Sequence, residues 1–128
     1  MANQSFDVVI VGGGPAGYPA AIRASQLGLT AAVIERDKLG GVCVNIGCIP
    51  TKALLHAAEI ADVAREGEQF GVRTTLESID MGKVNSYKDG VVGRLYKGLQ
   101  GLVKSASITL VQAEGRLVAA NAVEAGDE

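Results

Sequence analysis

The sequence lacks the features that mark several large classes of protein. Its 128 residues contain no apolar run near the ~18 residues that a membrane span needs. The first basic residue, Arg23, comes too late for the basic start of a secretory signal. Twelve basic and 14 acidic residues leave a net charge of −2, which provides no basic surface for nucleic acid or an anionic membrane. We therefore expect a cytoplasmic protein with neither nucleic acid nor membrane as a partner.

Cysteine and histidine are also scarce. Two cysteines are too few for the disulfide framework of a secreted miniprotein, and 48% hydrophobic residues are too many for a disordered chain. In a reducing compartment, two close cysteines are more often catalytic, redox-active or metal-binding than structural. His56 is the only imidazole available for acid–base chemistry. The length fits a single domain.

Glycine, by contrast, is abundant, with 17 residues of 128 against an average usage of ~7%. A Gly-x-Gly-x-x-Gly motif at 12–17 follows a β-branched run, FDVVIV at 6–11, that is typical of a buried parallel strand. A helix is predicted over 16–27 and a second strand over 30–35. Strand, glycine turn, helix and strand form a βαβ unit. The predicted fold class is α/β, a Rossmann-like parallel sheet with helices.

The glycine motif has the residues that a dinucleotide pyrophosphate requires. Gly12 permits the tight turn, Gly14 lets the pyrophosphate approach the backbone, and Gly17 allows close contact between helix and strand. The positive N-terminus of the helix then faces the anion. Glu35 ends the second strand, where its carboxylate can bind ribose hydroxyls and disfavours a 2′-phosphate. The motif predicts FAD or NAD rather than NADP; a glycine turn without a ligand and a plain surface carboxylate are the alternatives.

A helical excursion is predicted after the second strand. A glycine-containing loop over 37–47 leads to a helix that starts at Pro50, where a missing N–H costs nothing, and ends near Glu66. Its predicted apolar face consists of Leu54, Ala57, Ala58 and Ala61. Lys52, His56 and Glu59 fall on the opposite side.

A longer helix and a hairpin arm complete the predicted elements. The helix is expected over 80–104, and its glycines indicate close helix packing, or else a surface that a ligand or a second subunit approaches. Its predicted apolar stripe is Val84, Tyr87, Val91, Leu95, Leu99 and Leu102. A strand over 107–113 and a β-hairpin arm over 115–125 follow, and Gly126-Asp127 favours a turn toward a further strand.

Cys43 and Cys48 precede the helix predicted at Pro50, and three interpretations compete for them. A zinc site needs about four ligands, and His56 is the only further candidate nearby. Two inert buried thiols are a second possibility. A redox-active disulfide is favoured, because a helix N-terminus lowers the pKa of a thiol and favours the thiolate. Lys52 in the first turn opposes the helix dipole, which suggests a nearby anion; a solvated lysine is the alternative.

His56 is not expected to act as the acid–base partner of these thiols. It lies eight residues beyond Cys48, about 12 Å along a helix that rises ~1.5 Å per residue. Proton transfer requires about 3 Å or one intervening water. We expect His56 to face solvent, and the chain to lack the base.

Two segments, GGGPAGYPAAIRASQLG and LGGVCVNIGCIPTKALLHAAE, resemble the N-terminal part of the flavin disulfide reductases. The ending IPTKALLH is most similar to the branch of that family that oxidises protein-bound dihydrolipoyl groups. Glutathione- and mercury-type reductases share the GGxCVNxGCxPxK core and remain an alternative. A module that only binds FAD, or that is inert, is a second alternative.

The resemblance implies an FAD site and a redox centre. Cys43 matches the interchange thiol of the family, Cys48 the charge-transfer thiol beside the isoalloxazine, and Lys52 the lysine near the flavin. Val42 stands where many members have a threonine, and a valine cannot make that hydrogen bond to the cofactor. The residues matched to the cofactor site are Gly12, Gly14, Pro15, Ala16, Gly17, Glu35, Arg36, Gly40, Gly41, Val42, Cys43, Lys52, Ala113 and Gly115. No metal is implied.

The resemblance also implies that residues 1–128 are the N-terminal part of an FAD-binding domain, without the rest of that domain, the NAD domain or the interface domain. The whole enzyme would be a homodimer that uses NAD. Its partner would be the lipoyl group of an E2 acyltransferase in a 2-oxo acid dehydrogenase complex. A His-Glu pair from the other subunit would serve the disulfide. We therefore expect the chain alone to be inactive.

Overall fold

Three short parallel strands form the centre of the fold in the computed structural model, which describes residues 3–126. The strands β1 (Val8–Val11), β2 (Ala31–Ile34) and β3 (Thr109–Val111) are arranged in the order β1-β2-β3. All residues of the central strand are buried, as a β-branched run in a parallel sheet requires. The predicted α/β class with a parallel sheet and helices is confirmed as a partial Rossmann-like domain.

The first helix, α1 (Gly17–Gln26), connects β1 to β2 and places Val8 opposite Ala31. Its C-terminus has the glycine stop that the sequence predicts. Gly28 has φ +82°, and its N–H donates to the Ser25 carbonyl at 2.9 Å, while the N–H of the next residue donates to the Ala24 carbonyl at 3.1 Å. This pair of bonds is a Schellman motif, which satisfies carbonyl groups that the helix end leaves free.

The helical excursion contains one more helix than the sequence predicts. It consists of α2 (Gly41–Asn45), α3 (Cys48–Glu66), a 3-10 turn (Gly67–Phe70) and α4 (Met81–Ser105). The expected loop therefore contains the short α2, because its buried Val44 packs beside the positive-φ Gly40. Helical propensity alone does not indicate so short an element.

The start predicted for α3 at Pro50 is two residues late, since the helix begins at Cys48. Pro50 instead occupies the third helical position, which is still in the first turn, where an N–H has no intrahelical acceptor. Cys48 therefore lies inside the helix rather than before it.

The main core lies between β2 and the two helices α1 and α4. Residues from these elements form one buried cluster, together with the loop after β2 and the start of β3. Its members are Ala21, Ala24, Ala31, Val33, Leu39, Leu99, Val103 and Ile108. Ala31 and Val33 alternate with Ala32 along β2, so α1 and α4 cover the same face of the sheet. On the opposite face, Val9 and Val11 of β1 are 39% and 52% exposed.

The apolar face predicted for α3 is wrong in part. The structure buries Ala53 and Ala61 and half-buries Ala57, whereas Leu54 is 38% exposed and Ala58 is exposed. α3 packs against α4, and the residues of α3 that are buried include these alanines. Small side chains let two helices approach closely, so the contact selected the alanine face over the face with leucine.

The stripe predicted for α4 is also wrong in part. Leu99 is buried as expected, but Tyr87, Leu95 and Leu102 are exposed, and Val103 takes their place in the core. Val103 lies one residue, about 100°, around the helix from Leu102, so the buried face is shifted toward that side. α4 has apolar residues on two sides, and only the sheet decides which side is covered.

The glycines of α4 do not serve close packing within the described residues. A Cβ added at four of its five glycines, Gly90, Gly93, Gly98 and Gly101, would meet no atom within 4 Å, and a Cβ at Gly82 would meet only the Asp80 side chain. The interpretation as close helix packing is therefore wrong for this part of the chain. The alternative, a surface that a ligand or second subunit approaches, stays a prediction.

The predicted C-terminal hairpin arm is confirmed. β4 (Gly115–Ala119) and β5 (Ala122–Ala125) pair in antiparallel fashion, and Arg116 donates to the Glu124 carboxylate at 2.8 Å across the pair. Of the turn expected after the hairpin, Asp127 and Glu128 lie outside the described residues.

One stretch, Gly41–Phe70, passes a test of length and apolar composition for a membrane span, with a mean hydropathy of 1.2. Core helices of soluble proteins have the same length and composition, so these two properties alone do not identify a membrane span. The stretch is also interrupted between α2 and α3, and α3 carries charged residues on its exposed side, among them Glu59 and Asp62.

Candidate functional site

The carboxyl ends of the three parallel strands meet at one edge of the sheet. The Gly12 N–H donates to the Ile34 carbonyl at 2.8 Å, and the Glu35 N–H donates to the Val111 carbonyl at 2.9 Å. The Ala113 N–H donates back to the Glu35 carbonyl at 3.2 Å. Ligands of open α/β sheets bind at this edge. The structure thus brings together the glycine turn, Glu35 and Ala113, which are far apart in the sequence.

The glycine turn has the backbone geometry that each of its three spaced glycines was expected to provide. Gly12 has φ +97°, which favours glycine. A Cβ on Gly17 would lie 1.9 Å from the Gly12 carbonyl oxygen, so only glycine permits this contact between helix and strand. A Cβ on Gly14 would meet nothing within 4 Å, so the backbone there is open to a ligand. The contacts of these residues with a cofactor stay a prediction.

An open cleft of about 470 Å³ lies over this turn. It is lined by Ile10, Val11, Gly12, Gly14, Pro15, Ala16, Gly17 and Ala20. No side chain caps the N-terminus of α1, which begins at this cleft. An anion placed there would face the positive end of the helix dipole and could take the place of a cap.

Backbone N–H groups hold the Glu35 carboxylate at the edge of the cleft. Oε2 accepts from the Gly13 N–H at 2.7 Å, and Oε1 accepts from the Asp37 N–H at 2.9 Å. The glycine motif does not predict the contact with Gly13, because Gly13 occupies a position that the motif leaves variable. Each carboxylate oxygen has a second lone pair. The side chain is therefore oriented and still able to accept from hydroxyl groups.

The loop after Glu35 folds back against the glycine turn. The Gly40 N–H donates to the Gly13 carbonyl at 2.7 Å, and a Cβ on Gly41 would lie 3.0 Å from the Gly14 Cα. Gly40 and Gly41 both have positive φ, +92° and +57°. Gly40 and Gly41, which the sequence matches to the cofactor site, therefore contact the glycine turn through their backbone.

Three further residues that the sequence matches to the cofactor site are Arg36, Val42 and Gly115. Arg36 is exposed and sits 3.7 Å from the Glu114 carboxylate, a surface ion pair that contributes little to stability. A Cβ on Gly115 would lie 3.0 Å from Ile34 Cγ2 and 3.1 Å from Val11 Cγ1, which places Gly115 beside the ends of β1 and β2. Val42 is exposed at the start of α2.

The two cysteines lie on consecutive helices that a sharp reversal joins. Cys43 is half-buried in α2, Cys48 is exposed at the start of α3, and both are free thiols. The Gly47 N–H donates to the Val42 carbonyl at 2.7 Å, and a Cβ on Gly47 would lie 3.1 Å from that oxygen. Glycine thus permits the tight return of the chain between the two thiols.

The electrostatics show that these thiols interact with each other and with a lysine. Hydrogen bonding to the Cys48 side chain raises the pKa of Cys43, and desolvation and the charge of Cys48 act in the same direction. The positive charge of Lys52 acts in the opposite direction and lowers the pKa of Cys43. Lys52 is therefore close enough to stabilise an anionic sulfur, although it is the fifth residue of α3 and lies beyond the first turn in which the sequence predicts it.

His56 faces solvent, as the sequence predicts. Its Nδ1 lies 3.3 Å from Glu59 Oε2, one turn further along the same exposed side of α3. In the part of the chain that the structure describes, no group of three or more His, Cys, Asp or Glu residues could hold a metal ion. The zinc interpretation of the cysteines has no ligand set there.

Comparison with known proteins matches the chain to one family and to similarly named relatives. The family described as pyridine nucleotide-disulphide oxidoreductase matches residues 6–128. The dihydrolipoyl dehydrogenase of Bacillus subtilis is 50% identical over 118 residues, which cover 92% of this chain and 25% of that protein. The dihydrolipoyl dehydrogenase of Thermus scotoductus is 42% identical over 125 residues, with coverage of 98% and 27%. "Dihydrolipoyl dehydrogenase 2" of Haloarcula marismortui is 46% identical over 112 residues, with coverage of 88% and 24%.

The chain spans about a quarter of the length of these curated relatives. The match to the family nevertheless extends over nearly all of its residues, from the first strand to the hairpin arm. It includes both the glycine turn and the cysteine pair. The chain belongs to the pyridine nucleotide-disulphide oxidoreductase family.

Proposed function

We propose that residues 1–128 are the N-terminal, FAD- and disulfide-bearing part of a dihydrolipoyl dehydrogenase. Family membership makes the chain part of a flavin disulfide oxidoreductase, and the names of its relatives support the dihydrolipoyl substrate. The observation that carries the proposal is the position of Cys43 on a short helix whose first residue, Gly41, contacts the glycine turn. This contact holds the helix that carries Cys43 next to the proposed dinucleotide-binding turn.

The residues at the cleft fit FAD. The open backbone at Gly14 and the uncapped N-terminus of α1 suit a pyrophosphate, and the oriented carboxylate of Glu35 suits ribose hydroxyls. Gly41 would border the same group from the other side. Bound here, FAD supplies the acceptor for the electron pair that the reduced cysteines release, and NAD is the final acceptor in the proposed reaction.

The chemistry of the chain's own residues is thiol–disulfide exchange. One thiolate of the dihydrolipoyl group attacks the Cys43 sulfur of the Cys43–Cys48 disulfide, forms a mixed disulfide and releases Cys48 as the thiolate. The second substrate thiolate then attacks the substrate sulfur of the mixed disulfide and releases Cys43. The substrate loses two electrons and two protons, and the protein disulfide becomes two reduced cysteines. Lys52 stabilises the anionic sulfur during these steps.

The proton acceptor, the NAD site and the dimer interface would lie outside these residues. His56 is engaged with Glu59 on an exposed helix face, so it does not serve the thiols. The proposed enzyme is a cytoplasmic homodimer that acts on the lipoyl group of an E2 acyltransferase in a 2-oxo acid dehydrogenase complex.

An assay of the full-length protein tests the proposal. We expect NADH formation with dihydrolipoamide and NAD, and no comparable rate with glutathione disulfide and NADPH. Activity only in the second assay would contradict the proposal and favour a glutathione-type reductase, and mercuric-ion-dependent NADPH oxidation would favour the mercury type.

A module that only binds FAD, or binds nothing, is the second candidate for the chain by itself. The exposed Val9 and Val11 favour it, since a sheet face that is partly open does not fully enclose a ligand. Visible absorption of the purified 128-residue chain after gel filtration distinguishes the two. A retained flavin band shows binding, and a colourless protein favours the inert module.

A further inference from the structure

Asn45 lies between the two cysteines, and the chemistry proposed above gives it no role. It is the last residue of α2, and its half-buried side chain does not point to solvent. Its amide Nδ2 donates to the Gly41 carbonyl at 2.9 Å and to the Leu39 carbonyl at 3.1 Å. Both N–H groups of one side chain are thus used to hold the backbone that enters the helix.

The backbone that Asn45 holds is the part of the loop in contact with the glycine turn. Between its two acceptors lies Gly40, whose N–H donates to the Gly13 carbonyl at 2.7 Å. Gly41 itself approaches Gly14 so closely that an added Cβ would lie 3.0 Å from the Gly14 Cα. A continuous set of short contacts therefore connects Asn45 to the cradle for the dinucleotide.

On its other side, Asn45 is bonded to the first residue of the short helix that carries Cys43. A helix of five residues is not stable by itself, and no side chain caps the N-terminus of α2. Val44 anchors one face of it, packed beside Gly40. The Asn45 amide closes the helix from its C-terminal end back to its first residue. Without that closure, the direction of Cys43 relative to Cys48 would depend on the packing of Val44 and on the backbone bond from Gly47 to Val42.

We propose that Asn45 is a positioning residue that sets the dithiol–disulfide equilibrium of Cys43 and Cys48 by clamping α2 to the loop against the glycine turn. The proposal rests on the proposed function to the extent that the two cysteines form a redox pair. Disulfide formation is favoured when two thiols are held close in the required geometry. Release of α2 lowers their effective concentration and favours the dithiol.

The test is the equilibrium of the full-length protein with glutathione. One glutathione disulfide oxidises Cys43 and Cys48 to the disulfide and yields two molecules of glutathione. The thiols that remain are trapped by alkylation and counted by mass spectrometry. Asn45→Ala removes both donors, and we expect its equilibrium constant for disulfide formation to fall about tenfold, a potential less negative by about 30 mV.

Gln112→Ala is a matched control. The Gln112 amide also donates to two backbone carbonyls of the same loop, those of Arg36 and Asp37, but it does not contact α2. We expect this variant to keep the wild-type equilibrium. An equal shift in both variants would show a general loosening of the loop and would overturn the proposal.

Asn45→Asp keeps the size of the side chain and places a carboxylate against the two carbonyl oxygens, so it serves if the alanine variant fails to fold. An equilibrium constant within twofold of wild type in a folded Asn45 variant would refute the positioning role. A wild-type protein that forms no Cys43–Cys48 disulfide at any glutathione ratio would instead refute the proposed function.

Discussion

At the scale of single residues, the environment of the cysteines depends on few charged groups. The thiols of Cys43 and Cys48 interact, and Lys52 supplies the positive charge that opposes the rise in the Cys43 pKa. The structure places Lys52 fifth in α3, beyond the first turn in which the sequence predicts it, so its electrostatic effect on the thiols does not depend on the helix dipole. A second titratable side chain, that of Asp7, accepts hydrogen bonds from Thr30 at the start of the sheet.

Removal of the Lys52 charge should make Cys43 less reactive. In Lys52→Met the pKa of Cys43 rises further, because the group that lowers it is lost, and the thiolate fraction at pH 8 falls. We expect alkylation of Cys43 by iodoacetamide at pH 8 to slow about two- to threefold. Lys97→Met, an exposed lysine of α4, is the control and should leave the rate unchanged. A faster reaction in Lys52→Met would contradict the assignment.

Asp7 should contribute stability that depends on pH. Hydrogen bonds from the Thr30 hydroxyl and then the Thr30 N–H lower the pKa of Asp7 from its ordinary value of 3.8. The contribution is therefore present above about pH 4 and is lost as the pH falls through the lower pKa of the folded state. We expect Asp7→Asn to lower the midpoint of urea unfolding at pH 6 and to have a smaller effect at pH 3. The exposed Glu77→Gln should show no such pH-dependent difference.

At the scale of elements, α4 decides how the helical excursion meets the sheet. Its two faces are both apolar, and the face with Leu99 and Val103 joins the buried core cluster while the face with Leu95 and Leu102 is exposed. The short α2 is held by this arrangement, since a Cβ on Gly40 would lie 3.2 Å from Leu99 Cδ2. The position of the cysteine helix thus depends on the packing of α4.

Two leucines three residues apart on α4 test this packing directly. Leu99→Ala creates a cavity in the core and should lower the free energy of unfolding by about 2–5 kcal/mol. Leu102→Ala removes a side chain that is 57% exposed and should cost less than about 1 kcal/mol. Chemical denaturation measures both. Equal losses of unfolding free energy in the two variants would instead support the predicted stripe, in which Leu102 is buried together with Leu99.

At the scale of the whole molecule, the described residues form one covered and one partly open side. The helices α1 and α4 cover a single face of the sheet, and β1 pairs only with β2 within residues 3–126. In the same range, β4 and β5 pair only with each other. Parallel sheets are normally covered on both faces, so this arrangement has physical consequences for a protein of these residues alone.

The 128-residue chain should self-associate. The edges of β1 and of the hairpin arm present backbone groups that can pair with another chain, and Val9 and Val11 add exposed apolar surface. Light scattering after gel filtration should show species larger than 13.1 kDa that grow with concentration. Val9→Lys places a charge at this surface and should shift the distribution toward the monomer. A monomer at all concentrations would contradict the prediction.

The 128-residue chain should also show no dihydrolipoamide turnover with added FAD and NAD. Its only imidazole, His56, is bound to Glu59 at the exposed side of α3, so no described histidine can take the proton from a thiol. The sequence has one glycine-rich βαβ motif, which leaves no second site to position NAD. Absorbance at the NADH wavelength measures the rate. A rate near that of the full-length enzyme would show that these residues contain both functions.

Features with a local cause could be predicted from the sequence. The tight turn at Gly12, the contact of Gly17 with the strand and the end of α1 at Gly28 follow from backbone angles that glycine adopts without strain. The alternation of strand and helix then restricted the fold to a parallel sheet. The spacing of Cys43 and Cys48 beside a helix likewise predicts a redox pair, which stays a prediction.

Tertiary structure alone decided the features that depend on residues distant in the sequence. Periodicity placed apolar residues on two faces of α4, and only burial in the core cluster selected Leu99 and Val103 over Leu102. The helix α2 forms because Val44 is buried by distant elements, although its five residues have little helical tendency. The hydrogen bond from Gly13 to Glu35 joins positions 22 residues apart. Such contacts arise from the packing of the chain, which local patterns do not encode.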